Sequence, residues 1–328
     1  MTESVLQLRD LKVSFRTPNG LVQAVRGVDI DVAPGEMVGV VGESGSGKSV
    51  SFLAAMGLLP STAVITGSAT VGGTQLVGAD KTTLRAVRGK RVAMIFQDPL
   101  SALNPVQRIG NQIVEMLQAH SKVGKAEART RAVELLDIVG IPQPKDRARQ
   151  YPHEFSGGMR QRVMIAMAIA NDPEVLIADE PTTALDVTVQ AQILEVVQRI
   201  QRDMSTAVVM ITHDLGVIAR VADRVQVMYA GRVVERGTIN DLFDRPTHPY
   251  TMGLLHSLPR HGQERLEPIA GSPPNMLRPP SGCAFRARCE HATDRCAADP
   301  VPELVQFGRS WTACVRANEI LHANEVTA

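Results

Sequence analysis

The sequence predicts an α/β fold: a parallel sheet packed with helices, joined by an antiparallel β segment, a helical insertion and a small Cys-rich C-terminal extension. Three observations predict it. Short apolar runs at Met37–Val41, Val92–Phe96, Val175–Ala178 and Ala207–Thr212 have the length and even hydrophobicity of strands buried on both faces. Helix signals fall between them. One is an apolar stretch from about Ser49 to Leu59; in the other, Asp186 caps an amphipathic helix with Val189, Ile193, Val196, Val197, Ile200 and Met204 on one face. The third observation is a change of composition past residue 245, where prolines crowd in and all four cysteines lie between 283 and 314.

The elements follow in order. Residues 5–32 alternate apolar and polar through Leu6, Leu8, Leu11, Val13 and Phe15, then Val28, Ile30 and Val32, the period of half-buried antiparallel strands. Pro18-Asn19-Gly20 supplies the turn. Residues 106–170 carry no strand signal; Ile109, Ile113, Met116 and Leu117, and again Val133, Leu136 and Val139, have helical spacing. Residues 225–237 read as a hairpin turning at Ala230-Gly231.

Composition bounds the function. The chain has 328 residues, 44% apolar and 21% charged, enough for a large core and two domains. Its net charge of +1 gives no strong field for nucleic acid, and 3% aromatics argue against a stacking platform for single strands. The opening MTESVLQLRD has neither a basic n-region nor an apolar h-region, so no signal peptide is expected. The densest apolar run, Val163–Ala170, is far shorter than a membrane span. The expected location is cytoplasmic.

Gly42-Glu43-Ser44-Gly45-Ser46-Gly47-Lys48-Ser49 fits G-x-x-x-x-G-K-[ST] between a strand and a helix. Glycines let the backbone curl until successive N–H groups face phosphate oxygens, and the helix start adds its partial positive charge. Lys48 supplies a point charge for the β- and γ-phosphates, and Ser49 offers a hydroxyl to Mg²⁺. Further along, Val175-Leu176-Ile177-Ala178 ends in Asp179 and Glu180. Ligands of open α/β sheets sit at such strand ends. Asp179 is expected in the Mg²⁺ shell and Glu180 beside the attacking water, the positioning that phosphoryl transfer requires.

Ser156-Gly157-Gly158-Met159-Arg160-Gln161 precedes a helix at Arg162–Ala170, a second helix start rich in glycine. Here the sequence resembles the ATP-binding-cassette family, whose signature is written LSGGQ in many members. Position 155 is Phe instead of Leu and position 159 is Met instead of Gln. The resemblance covers roughly residues 5–260. It implies a P-loop NTPase fold of the cassette type, with antiparallel β and helical subdomains, and it implies roles. Phe15 stacks on adenine; Gly42, Ser44, Gly45, Ser46, Gly47, Lys48, Ser49 and Val50 hold ATP. Gln97, in Phe96-Gln97-Asp98, touches Mg²⁺ and the water. Mg²⁺ is held through Ser49, Gln97 and Asp179, and Glu180, His213 and Gln97 carry catalysis. His213, in Ile211-Thr212-His213-Asp214, senses the γ-phosphate. Ser156, Gly157, Gly158 and Gln161 cap the nucleotide of a partner chain, and Asp186, in Ala184-Leu185-Asp186, crosses the dimer interface.

Thr247-His248-Pro249-Tyr250-Thr251, followed by Leu254-Leu255, resembles the start of the C-terminal extension of oligopeptide and dipeptide importer ATPases. So do Gln97-Asp98-Pro99 through Leu103-Asn104-Pro105 and Asp186-Val187-Thr188-Val189-Gln190. The expected domains are a nucleotide-binding domain over 1–245, with its helical subdomain at about 100–170, and an extension over 246–328. Within the extension Cys283, Cys289, Cys296 and Cys314 are spaced C-x5-C-x6-C-x17-C. Disulfides are disfavoured in a reducing compartment, and the spacing is wide for structural zinc. Four thiolates suit a [4Fe-4S] cluster, which some relatives of this family are reported to carry; zinc or no metal remain open alternatives.

The implied function is the ATP-hydrolysing subunit of an importer of dipeptides or oligopeptides, acting with ATP and Mg²⁺. Implied partners are a second cassette subunit (a homologue or a copy of itself), two transmembrane permease subunits and an extracytoplasmic peptide-binding protein, with no nucleic acid. The implied location is the cytoplasmic face of the inner membrane. A nickel or opine importer ATPase is the near alternative. A soluble cassette ATPase is a more distant one, because no long coiled-coil insertion or second cassette is present.

Overall fold

A computed structural model describes residues 4–183, 185–258, 268–298 and 300–321. In chain order its strands are β1 (Leu6–Thr17), β2 (Gly20–Val32), β3 (Met37–Val41), β4 (Ala63–Val71), β5 (Thr74–Gln75), β6 (Val92–Ile95), β7 (Val175–Asp179), β8 (Ala207–Thr212), β9 (Arg224–Tyr229), β10 (Arg232–Thr238), β11 (Val305–Phe307) and β12 (Ser310–Thr312). Its helices are α1 (Lys48–Ala55), α2 (Lys81–Val87), α3 (Pro99–Ala102), α4 (Ile109–His120), α5 (Lys125–Ile138), α6 (Pro144–Arg147), α7 (Gly157–Ala168), α8 (Val187–Met204), α9 (Leu215–Val221), α10 (Ile239–Asp244) and α11 (Pro249–His256). The chain divides into two compact units. One holds the residues before Leu8, Asp31–Met37 and Thr70–Ile211; the other holds Leu8–Ile30, Val38–Ala69 and the residues from Thr212 on.

In the first unit β6, β7 and β8 are parallel neighbours, with Val92 opposite Val175 and Asp179 opposite Ile211. Every residue of these strands is buried, which explains their unbroken apolar runs. The stretch from α3 to α7 is all helical, as its 3.6-residue periodicity predicts. Ile109, Ile113 and Leu117 of α4, Leu135 and Leu136 of α5, and Val163 and Ile165 of α7 are buried. Buried Gln112 holds the Asn104–Gln107 turn. Its amide donates to Asn104 O (3.0 Å) and Gln107 O (2.9 Å), and its oxygen accepts from Asn104 N (2.9 Å).

In the second unit β2, β1 and β4 run side by side in that order. The apolar alternation slips by one residue between Leu8 and Leu11, and Asp10, at φ 43°, absorbs the extra position. β3 pairs in parallel with β9, which returns antiparallel as β10. The turn falls at Ala230-Gly231, both at positive φ, the conformation a two-residue hairpin needs. β10 then pairs with β12, and β12 with β11, so the last described strands are grafted onto the sheet that carries β3.

A buried acid fixes how the chain leaves β10. Glu235 is fully buried; its Oε1 accepts from Thr247 N and Oγ1 (both 2.6 Å) and its Oε2 from His248 N (3.0 Å). Burial pushes this carboxyl up, and the three donors oppose the shift. His248 caps α11 by accepting from Tyr250 N at Nδ1 (3.1 Å). Burial lowers its imidazole from 6.5 to about 4.

The imidazole is therefore neutral in the fold but binds a proton in the unfolded chain below 6.5. Its contribution to stability is complete above that value and declines as pH falls towards about 4, by up to roughly 3 kcal/mol. His248→Asn retains a cap for Tyr250 N and should flatten this decline, although it is less stable at neutral pH. Urea unfolding at a series of pH values checks it. Glu235 is common to both proteins, so an equally steep decline in the variant counts against the imidazole.

Candidate nucleotide-binding site

The phosphate loop lies in the second unit, between fully buried β3 and α1. Gly42, Gly45 and Gly47 have φ of 151°, 78° and 99°, turning the backbone through conformations open to glycine. Space is as tight as torsion. A Cβ on Gly42 falls 2.1 Å from Met228 O, and one on Gly47 falls 2.6 Å from Ala24 O. Lys48 is 5% exposed, and its Nζ donates to Gly42 O (2.7 Å) and Glu43 O (3.1 Å). Ser46 Oγ is buried and has no hydrogen-bond partner. An unpartnered hydroxyl and a near-buried ammonium inside a curl of backbone amides fit a polyphosphate, which supplies acceptors to all three. Ser49 and Val50 open α1, half-buried; Ser44 is exposed, and Phe15 is half-buried on β1. His213 is exposed after β8, also in the second unit.

The first unit holds the other predicted residues. Asp179 ends β7, 7% exposed. Glu180 follows at φ 46°, a strained conformation for a non-glycine residue, held by its N–H on Ile211 O (2.9 Å). Its Oε2 accepts from Gln97 Nε2 (3.2 Å) and from Thr183 Oγ1 (2.8 Å). Gln97 and Glu180, 83 residues apart, are thus brought together. Ser156 caps α7 with Oγ on Met159 N (3.4 Å), and Gly158 lies so close to α8 that a Cβ meets Val189 Cγ1 at 2.5 Å. Phe155 is buried, so the bulkier residue at that position packs inward. Gln161 is buried with Nε2 unpartnered, a second donor that a ligand could engage. Asp186 caps α8 through Val189 N (2.9 Å), and Ala184 lies outside the described residues.

The phosphate loop is also gripped from the C-terminal side of its own unit. Glu43 N donates to Tyr250 Oη (2.8 Å), and the Glu43 carboxylate receives both terminal nitrogens of Arg288, at 2.7 and 2.9 Å. Tyr250 packs with Tyr229 (centroids 4.6 Å) and Phe285 (5.4 Å), and burial raises both tyrosine phenols. None of this was visible in the sequence, where Glu43 occupies a free position of the loop motif and Arg288 has no motif at all. Thr183 was missed for the same reason.

Cys283, Cys289, Cys296 and Cys314 are free thiols that line one cavity with Phe285, Arg286, His291 and Arg316. Burial, with smaller repulsion among neighbouring thiols, raises Cys283 and Cys289 and pushes Cys314 up to about 12. The donor chemistry suits a soft metal. Among the described residues, however, no group of three or more His, Cys, Asp or Glu side chains is arranged to hold a metal ion, so the geometry gives the expected iron–sulfur or zinc site no support.

Two glycine-bearing helix starts in one α/β chain, one after a buried strand and the other on an all-helical insertion, define an ATP-binding cassette. Comparison with known proteins agrees. The ABC transporter family profile matches residues 25–183, and the profile of the oligopeptide/dipeptide transporter C-terminal region matches 234–296. The chain is 49% identical, over 97% of its length and 95% of the relative's, to the oligopeptide transport ATP-binding protein OppD of Salmonella typhimurium. It is 53% identical, over 88% of its length and 87% of the relative's, to the dipeptide transport ATP-binding protein DppD of Bacillus subtilis. A solved dimeric, post-hydrolysis ATP-binding cassette bound to ADP and phosphate is 27% identical, with a TM-score of 0.64 over 71% of this chain and 98% of that one. The chain belongs to the ABC transporter family of ATP-binding subunits, in the group that carries the oligopeptide/dipeptide transporter C-terminal region. It is an ATPase of the cassette type.

The packing around Gly47 yields a prediction. Gly47→Ala meets both a positive φ and the Ala24 carbonyl, so it should cost about 1–3 kcal/mol of stability and distort the loop. Denaturant unfolding and MgATP titration together check it. Gly45→Ala, where a Cβ meets nothing within 4 Å but φ is 78°, should cost less.

Proposed function

We propose that this chain is the ATP-hydrolysing subunit of an importer of oligopeptides or dipeptides, coupling nucleotide turnover to transport through separate membrane subunits. The observation that carries this reading is close identity along nearly the whole chain, extension included, to relatives named for peptide transport. Among the described residues no helix is long and apolar enough to cross a membrane; the proposed place of work is the cytoplasmic face, through permease partners. A second cassette, two permease subunits and an external peptide-binding protein complete the proposed assembly. In this reading residues 1–245 form the nucleotide-binding domain, with a helical subdomain at about 100–170, and 246–328 the extension.

Gly42–Ser49 would hold the phosphates, with Lys48 on the outer ones, while Ser49, Gln97 and Asp179 hold Mg²⁺, which neutralises phosphate charge when bound. Glu180 accepts a hydrogen bond from the attacking water and begins to take its proton; Gln97 and Thr183 orient that carboxylate. His213 senses the γ-phosphate, Phe15 stacks on adenine, and Ser156, Gly157, Gly158 and Gln161 cap the nucleotide of the partner, with Asp186 across the interface. Closure of the pair is driven by contacts to the γ-phosphate, which ADP lacks, so ATP binds the closed state better than ADP does.

Glu180→Gln should bind MgATP and accumulate as a closed pair while turnover falls by about 10²-fold or more. Turnover assays and size-exclusion chromatography check it, and normal turnover removes Glu180 from its role. Stimulation of the assembled transporter by peptide, and not by nickel or opines with their binding proteins, tests the substrate class. For the four-thiol segment, a [4Fe-4S] cluster acting as a structural staple rests on donor number and donor type alone, since among the described residues the thiols are not arranged around a metal ion. Anaerobically purified protein should then carry stoichiometric iron and a charge-transfer absorbance. Zinc in its place, or no metal, replaces that reading.

A further inference from the structure

The cassette and the C-terminal region meet at one residue. Glu43 lies inside the stretch matched by the cassette profile, and both of the groups that hold it, Tyr250 and Arg288, lie inside the stretch matched by the C-terminal-region profile. All three are in the second unit. The Arg288 side chain is 5% exposed and that of Glu43 27%, so this pair is not a solvent-screened surface bridge. The guanidinium is fixed on every side. Nε donates to Ala270 O (2.8 Å), Nη2 to Ile269 O (3.2 Å) and Nη1 to Tyr229 Oη (3.4 Å), beyond the two bonds to Glu43. Its carbon lies 5.8 Å from the ring centres of both Tyr229 and Phe285.

A carboxylate in a loop that binds polyphosphate is an electrostatic liability. It lies within a Debye length of any phosphate the loop holds, so salt weakens the repulsion without abolishing it. Position matters as well, because the carbonyl of Glu43 accepts from Lys48 Nζ (3.1 Å). Movement of residue 43 therefore moves an anchor of the lysine that meets the phosphates. We propose that Arg288 is a positioning residue of the nucleotide site: it cancels the Glu43 charge and, with Tyr250, fixes the first turn of the phosphate loop for an anionic nucleotide. This rests on the reading that the loop binds MgATP, and it makes the C-terminal region part of the nucleotide site's support.

The test uses the full chain for MgATP titration and the assembled transporter for kinetics. Arg288→Ala should weaken MgATP binding on the order of tenfold and raise KM, with kcat changed far less, and the loss should shrink as ionic strength rises. Glu43→Gln alone should lose clearly less affinity than Arg288→Ala, because it removes the repelling charge while keeping a polar side chain for Arg288. The double variant Arg288→Ala/Glu43→Gln should recover most of the lost affinity, because the repulsion disappears with the charge. Arg288→Lys should fall between, since it keeps the charge but not the fork. Arg295→Ala, which breaks an exposed pair with Glu319 in the same region, should match the parent. A double variant no better than Arg288→Ala, with a loss independent of salt, overturns charge cancellation. So does an Arg288→Ala protein that binds MgATP normally. If Arg288→Ala does not fold, a loss of affinity in Glu43→Gln equal to that expected of Arg288→Ala overturns it from the other side. Lys48→Ala separates the two levels. If it binds MgATP like the parent, the reading of the loop fails; if it loses binding while the arginine variants do not, the role of Arg288 alone fails.

Discussion

The amides of this loop converge because the chain turns through left-handed conformations at Gly42, Gly45 and Gly47, two of them packed against carbonyl oxygens. The spatial half of that requirement is the stricter. Met228 O and Ala24 O stand where side chains at 42 and 47 would go, so β9 and β2 must hold their places as firmly as the loop holds its own. The hairpin turn shares the load. Gly231 N donates to Ser46 O (3.0 Å), and Gly231 O accepts from Arg26 N (2.7 Å). A turn that itself needs positive φ at Ala230 and Gly231 buttresses a loop that needs it at Gly42, Gly45 and Gly47.

The second layer of support begins at Glu235. A fully buried carboxylate is costly unless donors surround it, and its three bonds to Thr247 and His248 set the path from β10 into α11. His248 then caps that helix two residues before fully buried Tyr250, whose phenol accepts from Glu43 N. The Thr-His-Pro-Tyr segment thus has a physical explanation: a donor pair for the acid, a cap, a proline at the first helical position and a phenol for the loop.

Residues whose work is local were legible in the sequence. Buried strands showed as unbroken apolar runs, the insertion as a 3.6 period, the hairpin as Ala230-Gly231 and the phosphate loop as glycines before a lysine. Strand β4 was not, because Ala63-Val64-Ile65-Thr66-Gly67-Ser68 mixes small and polar residues and only part of it is buried. Nor were β11 and β12, three residues each, which exist because β10 offers an edge. At the site, Glu180 could be placed at a strand end from sequence, but its positive φ and its bond from Thr183 depend on the tertiary frame. The Arg288–Glu43 pair spans 245 residues, and no spacing rule connects them.

The four thiols follow the same logic. A short, proline-rich segment has little apolar area of its own to offset the entropy of ordering. It borrows a core instead: β12 pairs with β10, Ala313 N donates to Val234 O (2.8 Å), and Phe285 packs on Tyr229 and Tyr250. Those rings are the ones that flank Arg288 and hold the Glu43 amide. The ordering of the cysteine-bearing segment and the geometry of the phosphate loop therefore draw on the same few side chains. A change that loosens Phe285 thus reaches Glu43 through two neighbours, because the ring lies against both Arg288 and Tyr250, the groups that hold residue 43.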